Sequence, residues 1–500
     1  MRPIASRIVA LLGVAALIGS APVTMARADS ALLPAPEGST PLQAAVYRND
    51  LAEVKRLIAT RVDVRQPNDY GVTAMELAAE MGNAAVLQAL LAAGADVESA
   101  NGEGQTALMS VARTGNVAAA RLLLKRGANV NAAERFGGQT ALMWAAARRH
   151  PEMVELLAAQ GADVDARAIV RNFERHITVE QRYKNTHVGG LTPLLYAARE
   201  NCKACIDVLL KHGADISLAD PEDVAALAIA MSNGNWDVAK RLVEAGADVN
   251  QWDLYGQSPL HIAIENAYVT QRGGLANAGT DKTPNATDGR TLVRMLVERG
   301  ADPNQQMFFR PPRDGGFVAS STRGTTPFHR ACAGNDPEIV SYLLAHGADA
   351  KLATAHGETP MMASINGRGR EDDILATLKV LHEAGADANG LQQIIYYNRN
   401  RGGSALHFAT RKGLKKVMAE LVAYGSDPDA KDQDGLTSLD YAMSRGWLSF
   451  LTTRPAPRMD LAKALKDLGA TVELAKTPDW PGEFPPIGPP RQHEAEIWPL

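Results

Sequence analysis

"GQTALMWAAARRHPEMVELLAAQGADVDA", residues 138–166, carries the whole logic of this chain in 29 positions. Thr140 stands just before an apolar run with helical spacing, where a hydroxyl can accept from the free N–H groups of a first turn. A second helix of a pair follows within the stretch, and in another copy Thr326-Pro327 suits a helix start because proline tolerates the first helical position. Gly161 closes the second helix, since glycine takes the left-handed conformation that a helix end often needs. The same order returns in "GTTPFHRACAGNDPEIVSYLLAHGADA", residues 324–350. Gly-Ala-Asp or a close variant recurs with its Gly at 94, 127, 161, 213, 246, 300, 347, 385, 425 and 469. Three of these steps are 33 or 34 residues, and the others read as 33 plus an insertion. A fixed period of this size marks a repeat array rather than separate globular cores.

The pattern G-x-T-P-L-H-x-A-A-x-x-G, a second helix, then G-A-D-V-N resembles the ankyrin repeat. The resemblance covers residues 38–472 as about eleven units. The first, "GSTPLQAAVYRNDLAEVKRLIATRVDV", lacks the terminal Gly-Ala, and the sixth, "DVAALAIAMSNGNWDVAKRLVEAGADVN", lacks the Thr-Pro start. The fold expected is all-α, an ankyrin repeat solenoid of about 11 helix pairs with hairpin fingers and several insertions. The resemblance implies protein recognition by a non-enzymatic scaffold. It also implies that His261, His329 and His407, at the fourth place of the T-P-L-H start, bond between adjacent repeats. Trp144, Tyr196, Ile262, Phe408 and Tyr441, one place later, are expected in the core.

The ends read differently. Residues 1–28 combine Arg2 and Arg7, an apolar run from Ile8 to Ile18 and the small-x-small Ala26-Arg27-Ala28, the form of a secretory signal. Residues 29–37 are a linker, and residues 473–500 are a Pro-rich tail with Trp480, Phe484 and Trp498 among its seven prolines. The expected location is therefore outside the cytoplasm, the periplasm first and release second. Without residues 1–28 the chain has 49 basic and 56 acidic residues, a net charge of −7 that does not suit nucleic-acid binding. No later run of 18 apolar residues predicts a membrane span, and a monomer is expected.

Candidate chemistry is sparse. Cys202-Lys-Ala-Cys205 at a helix start leaves three readings open: inert thiols, a local disulfide, or a redox pair. Cys332 is expected to be buried. Asp427, Asp429, Asp432 and Asp434 suggest calcium, but Gly435 as the sixth loop position puts Ala430 first and Tyr441 twelfth, where acids are required. Phosphate-cradling, zinc-protease and nucleophile-elbow motifs are absent from the sequence. No metal, cofactor or catalytic residue is nominated.

What remains is the extra chain. Insertions near 268–289, 367–372 and 447–458 fall between paired helices; those near 167–189, 305–323 and 390–402 fall at the fingers. The finger insertions hold seven of the 26 aromatics and ten basic against three acidic residues. Aromatic and arginine enrichment marks interface hot spots. The contacts expected are Phe173, Arg175, Tyr183, Phe308, Phe309, Arg310, Tyr396, Tyr397, Arg399 and Arg401, meeting an acidic protein surface or an extended peptide. An anionic envelope polymer is the alternative ligand, and a released effector the alternative role.

Overall fold

The computed structural model describes residues 38–174, 185–269, 285–308, 323–393, 402–444 and 456–471. Among these, twenty-two α-helices follow one another as eleven pairs, from Pro41–Tyr47 with Leu51–Ala59 to Ser438–Ala442 with Met459–Asp467. Pairs one to seven form one compact unit; pairs eight to eleven, with Tyr255–Gln257, form a second. Residues 1–28, residues 29–37 and the Pro-rich residues 473–500 lie outside the described residues.

Each repeat begins and ends by the rules its sequence announces. In the fourth, the Thr140 hydroxyl accepts from Met143 N–H at 3.4 Å. Thr73, Thr106, Thr192, Thr326 and Thr359 cap their helices in the same way. Ala225 stands at this place in the sixth repeat, and its helix has no side-chain cap. At the far end Gly161 N–H donates to the Ala158 carbonyl and Ala162 N–H to the Leu157 carbonyl, both at 3.0 Å, a Schellman motif. All ten repeat-ending glycines have φ between 79° and 102°. The first repeat, which lost its glycine, puts Arg61 there at φ 61°, with its N–H on the Ile58 carbonyl at 2.9 Å.

Between these ends lies the core. Ala78-Ala79, Ala145-Ala146 and Ala197-Ala198 are completely buried where first helices meet. So is one leucine in every second helix from the second repeat on: Leu90, Leu123, Leu157 and Leu209 begin a series that ends at Leu465. Polar bridges supplement this packing. His329 Nδ1 lies 2.8 Å from the Thr326 hydroxyl, and its Nε2 donates at 3.1 Å to the carbonyl of Glu358 in the next repeat. His407 spans Ser404 and the Leu436 carbonyl at 2.8 and 3.1 Å. In the first repeat Gln43 Nε2 donates to the Val72 carbonyl at 3.0 Å.

The insertions modify this plan locally. The first finger insertion contains a two-stranded antiparallel sheet, β1 (Val170–Glu174) and β2 (Asn185–Gly189), with Val170 opposite Gly189 and Glu174 opposite Asn185. The first helix of the seventh repeat, Pro259–Ile264, runs on as a π-helical turn over Glu265–Val269. The extra residues near 367–372 appear in the ninth repeat as a second helix of 13 residues, Glu371–Glu383, where nine is usual.

Two outcomes follow from these placements. Arg61→Gly is expected to raise stability by about 1 kcal/mol, because a side chain at left-handed φ costs on that order; thermal unfolding that shows no gain contradicts it. Burial pushes His329 down to about pKa 4 from 6.5, so the neutral ring is the folded form. Its contribution is present above pH 6.5 and lost as pH falls toward 4, a change of up to about 3 kcal/mol. His329→Gln keeps a donor for the Glu358 carbonyl but does not titrate, and a urea series should show that acid slope flattened; an unchanged slope refutes the assignment.

Candidate interaction surface

The fingers stand on one another. Arg135 N–H donates to the Glu103 carbonyl at 2.8 Å, Ile169 N–H to Gly137 at 2.7 Å, and Leu254 N–H to Glu222 at 2.8 Å. In the second unit, Phe308 N–H donates to Tyr255 at 2.8 Å, Ala355 N–H to Arg323 at 3.1 Å and Gln393 N–H to His356 at 2.7 Å. Such close approach explains the glycine before several of the caps, whereas Gly71 and Gly435, with nothing within 4 Å of a built Cβ, serve a left-handed φ of 77° and 75°. A Cβ on Gly324 (φ 81°) would lie 2.5 Å from Ala355 N. Fingers tied backbone to backbone in this way present their tips from a fixed base.

The tips of the first unit carry apolar side chains in water. Phe136 is 67% exposed, Tyr70 57% and Val188 54%, with Ile169, Val170 and Trp252 also exposed. Three of these, Phe136, Ile169 and Val188, belong to one patch built from the fourth finger and the β1–β2 hairpin, while Val170, one residue from Arg171 in β1, points to the other face. The Arg171 guanidinium lies 4.0 Å from the Phe136 ring centroid and also bonds the Phe136 carbonyl. Register places Arg171 opposite Val188. On the other side Arg167 Nη1 donates to the carbonyls of Ala219 at 2.6 Å and Gly190 at 3.3 Å, bracing the hairpin against the next finger. The result is an apolar surface of Phe136, Ile169 and Val188 with Arg171 among them.

Of the contacts expected from sequence, Phe173 lies in β1 with its backbone opposite Thr186. Phe308 is 37% exposed at the base of the second finger insertion, close over Gly256, so part of its ring is covered by its own fingers. The third insertion is pinned at its base by reciprocal bonds between Gln392 and Gly403 at 3.0 and 2.9 Å. Arg175, Tyr183, Phe309, Arg310, Tyr396, Tyr397, Arg399 and Arg401 lie outside the described residues. Tyr70, Phe136 and Trp252 were not singled out by composition, because they sit in fingers of ordinary length.

The other candidates resolve into structure. Cys202 caps the second helix of the fifth repeat and is joined by a disulfide to Cys205, one turn on, which is completely buried. Cys332 is a buried thiol, held protonated by its burial. Tyr196, Ile262, Phe408 and Tyr441 are buried and Trp144 is half-buried. Asp432 is occupied by Tyr441 O–H at 2.5 Å and two turn N–H groups, and Asp429 accepts from Thr471. Among the described residues no three His, Cys, Asp or Glu side chains converge on a metal-sized point, and no helix is long and apolar enough to cross a membrane.

Comparison with known proteins agrees with this architecture. The family profile described as ankyrin repeats (3 copies) matches residues 12–101, 86–168, 194–307 and 286–390, and the single ankyrin repeat profile matches 401–433. The chain is similar to the E3 ubiquitin-protein ligase KEG of Arabidopsis thaliana, 24% identical over 385 residues, which cover 63% of this chain and 21% of that protein. It is 27% identical to Inversin of Homo sapiens over 237 residues, 47% of this chain and 19% of that one. The B-cell lymphoma 3 protein homolog of Mus musculus is 26% identical over 235 residues, 46% of this chain and 40% of that one. The chain thus spans less than half the length of these relatives. Among solved structures, the ankyrin repeat domain of Bcl-3 is 25% identical with a TM-score of 0.40, covering 53% of this chain and all of that domain. With family profiles matching most of its length, the chain belongs to the ankyrin repeat family.

Proposed function

We propose that this chain is an exported, non-enzymatic scaffold that holds a protein partner on the finger side of its repeats. Ankyrin repeat domains serve as protein-binding scaffolds, and the observation that carries the reading here is the exposed patch of Phe136, Ile169 and Val188. Apolar side chains gathered on a braced hairpin are the anchors of an interface core, and Arg171 among them favours a partner with carboxylates around an apolar or extended segment. The finger insertions, with ten basic and three acidic residues, extend the same chemistry to Tyr396, Tyr397, Arg399 and Arg401. The leader-like residues 1–28 support export, and so does the Cys202–Cys205 disulfide, since such bonds persist in oxidising compartments.

The test uses the full chain as bait in envelope extract. Phe136→Ala with Val188→Ala is expected to leave the melting temperature unchanged, because both side chains are exposed, and to weaken capture at least tenfold, the loss of about 1.4 kcal/mol. Replacing residues 392–401 by a short Gly-Asn turn tests the third finger in parallel. Retention by cell-wall material that ignores Phe136 and disappears with salt would instead indicate an anionic polymer.

Compartment is tested through the thiols. Denatured without reductant, the natively produced chain should label at one cysteine, Cys332, and at three after reduction. Three reactive thiols before reduction would overturn the oxidising-compartment reading.

A further inference from the structure

The third residue of each first helix faces two ways, toward its own cap and toward the next repeat. Gln43 accepts Thr40 N–H at 2.9 Å through Oε1 and donates through Nε2 to Val72, the residue before the next cap, Thr73. His329 and His407 donate to Glu358 and Leu436, the residues before Thr359 and Thr437. In the second repeat this residue is Glu76. Its Oε2 accepts Thr73 N–H at 2.8 Å, as the Gln43 oxygen does for Thr40. Its Oε1 is buried, in a residue only 6% exposed, and has no hydrogen-bond partner.

The next cap is Thr106, so repeat register sets the Gln105 carbonyl at the place occupied by Val72, Glu358 and Leu436 in the other links. A carbonyl offers nothing to a carboxylate, which only accepts, whereas a carboxylic acid has one O–H to give. A buried oxygen left without a partner costs about 1–3 kcal/mol, more when charged. We infer that Glu76 is a proton-binding site: in the folded chain its carboxyl is protonated and donates from Oε1 to the Gln105 carbonyl, linking repeats two and three as histidine and glutamine link others.

The surroundings agree. Burial raises the Glu76 carboxyl to about pKa 7, the Thr73 N–H opposing and Glu80 adding to the rise. Among the packed helices, Pro41–Tyr47 brings only the Tyr47 phenol and Ala84–Ala92 no titratable side chain. Ala107–Thr114 brings Arg113, which is paired with Glu80 at 3.0 Å. The adjoining finger brings Glu103, which accepts from Gln105 Nε2 at 3.4 Å. The folded value lies above the ordinary 4.5, so the protonated link is complete below pH 4.5 and is lost as pH rises through about 7.

Glu76→Gln supplies a permanent donor of the same shape, the side chain that the first repeat already uses. In urea unfolding of the full chain, wild type and E76Q should lie closest at pH 4, the gap should widen as pH rises from 4.5 to about 7, and E76Q should have the higher midpoint at pH 8. Amide exchange in Pro41–Tyr47 and Ala74–Glu80, corrected for intrinsic rate, should speed up at pH 8 in wild type only. Infrared difference between the two proteins should show a carboxylic-acid carbonyl at pH 5 that vanishes by pH 8. An E76Q chain that fails to fold, that is no more stable than wild type at pH 8, or whose difference spectrum shows a carboxylate at pH 5 overturns the inference.

Discussion

Leu157 has two roles in the fourth repeat, and the array depends on their being filled again in each neighbour. Its side chain is completely buried, and its carbonyl accepts the Ala162 N–H that ends the helix. The apolar contact and the chain reversal are therefore fixed by the same residue, four places before the left-handed Gly161. Leu90, Leu123, Leu209 and Leu242 hold the equivalent place, each with its carbonyl taken by the alanine after the glycine. A leucine in one second helix has no interior of its own, since a helix pair covers only one side of it. It is buried because the next pair stacks on it, which makes stability a sum over neighbours.

The fingers inherit their order from that stacking. Once successive helix pairs are in register, the reversals after Gly161 and its counterparts come close enough for a backbone bond at many of the steps, as from Ile169 to Gly137. Pre-cap glycines such as Gly324 and Gly357 are required by that spacing, whereas the helix-ending glycines, such as Gly94 and Gly161, have nothing within 4 Å of a built Cβ and are required by conformation alone. An insertion at a finger therefore leaves the stack undisturbed. The β1–β2 hairpin leaves the register between Pro151–Ala159 and Lys203–Lys211, and the Asp165 carboxylate still accepts Asp215 N–H at 2.9 Å across it.

This division explains what the sequence made legible. Caps, glycines and buried alanines are local and repeated, so each of eleven copies tests the reading of the others, and even the defects at Ala225 and Arg61 fall where the pattern lapsed. The interaction surface is not repeated and gave weaker signals. Composition drew attention to long fingers, yet the exposed Tyr70 and Phe136 sit in short ones, each just before a glycine. That dipeptide does not suffice as a signal, because Tyr255 precedes Gly256 and is buried. Whether an aromatic at a tip faces water depends on what the adjoining finger brings over it, and Phe308, close over Gly256, shows a neighbour doing so. Similarly, the Cys202-x-x-Cys205 spacing left three readings open; only the cap position of Cys202 brings the two sulfurs together.

The residue behind each cap shows how far the stack tolerates chemical variety. Gln43, Glu76, His329 and His407 are polar there, while Met109, Met143, Leu195 and Ala228 are not, and all of these repeats form the same helix pair. The inter-repeat bond at this place is thus a supplement to packing. Where it exists it adds about 1 kcal/mol, with a directional demand that an apolar residue does not make. A supplement that is optional for folding can vary from repeat to repeat, and with it the local free energy of opening. The polar links at Gln43 and Glu76 lie in the first two repeats, and those at His329 and His407 in the second unit. Repeats three to six, by contrast, hold together at this place by packing alone. It is on those repeats that the finger patch of Phe136 and Val188 stands, braced by Arg167 and Arg171 at the tips. The patch accordingly draws its rigidity from finger-to-finger contacts, with no help from the polar links behind the caps.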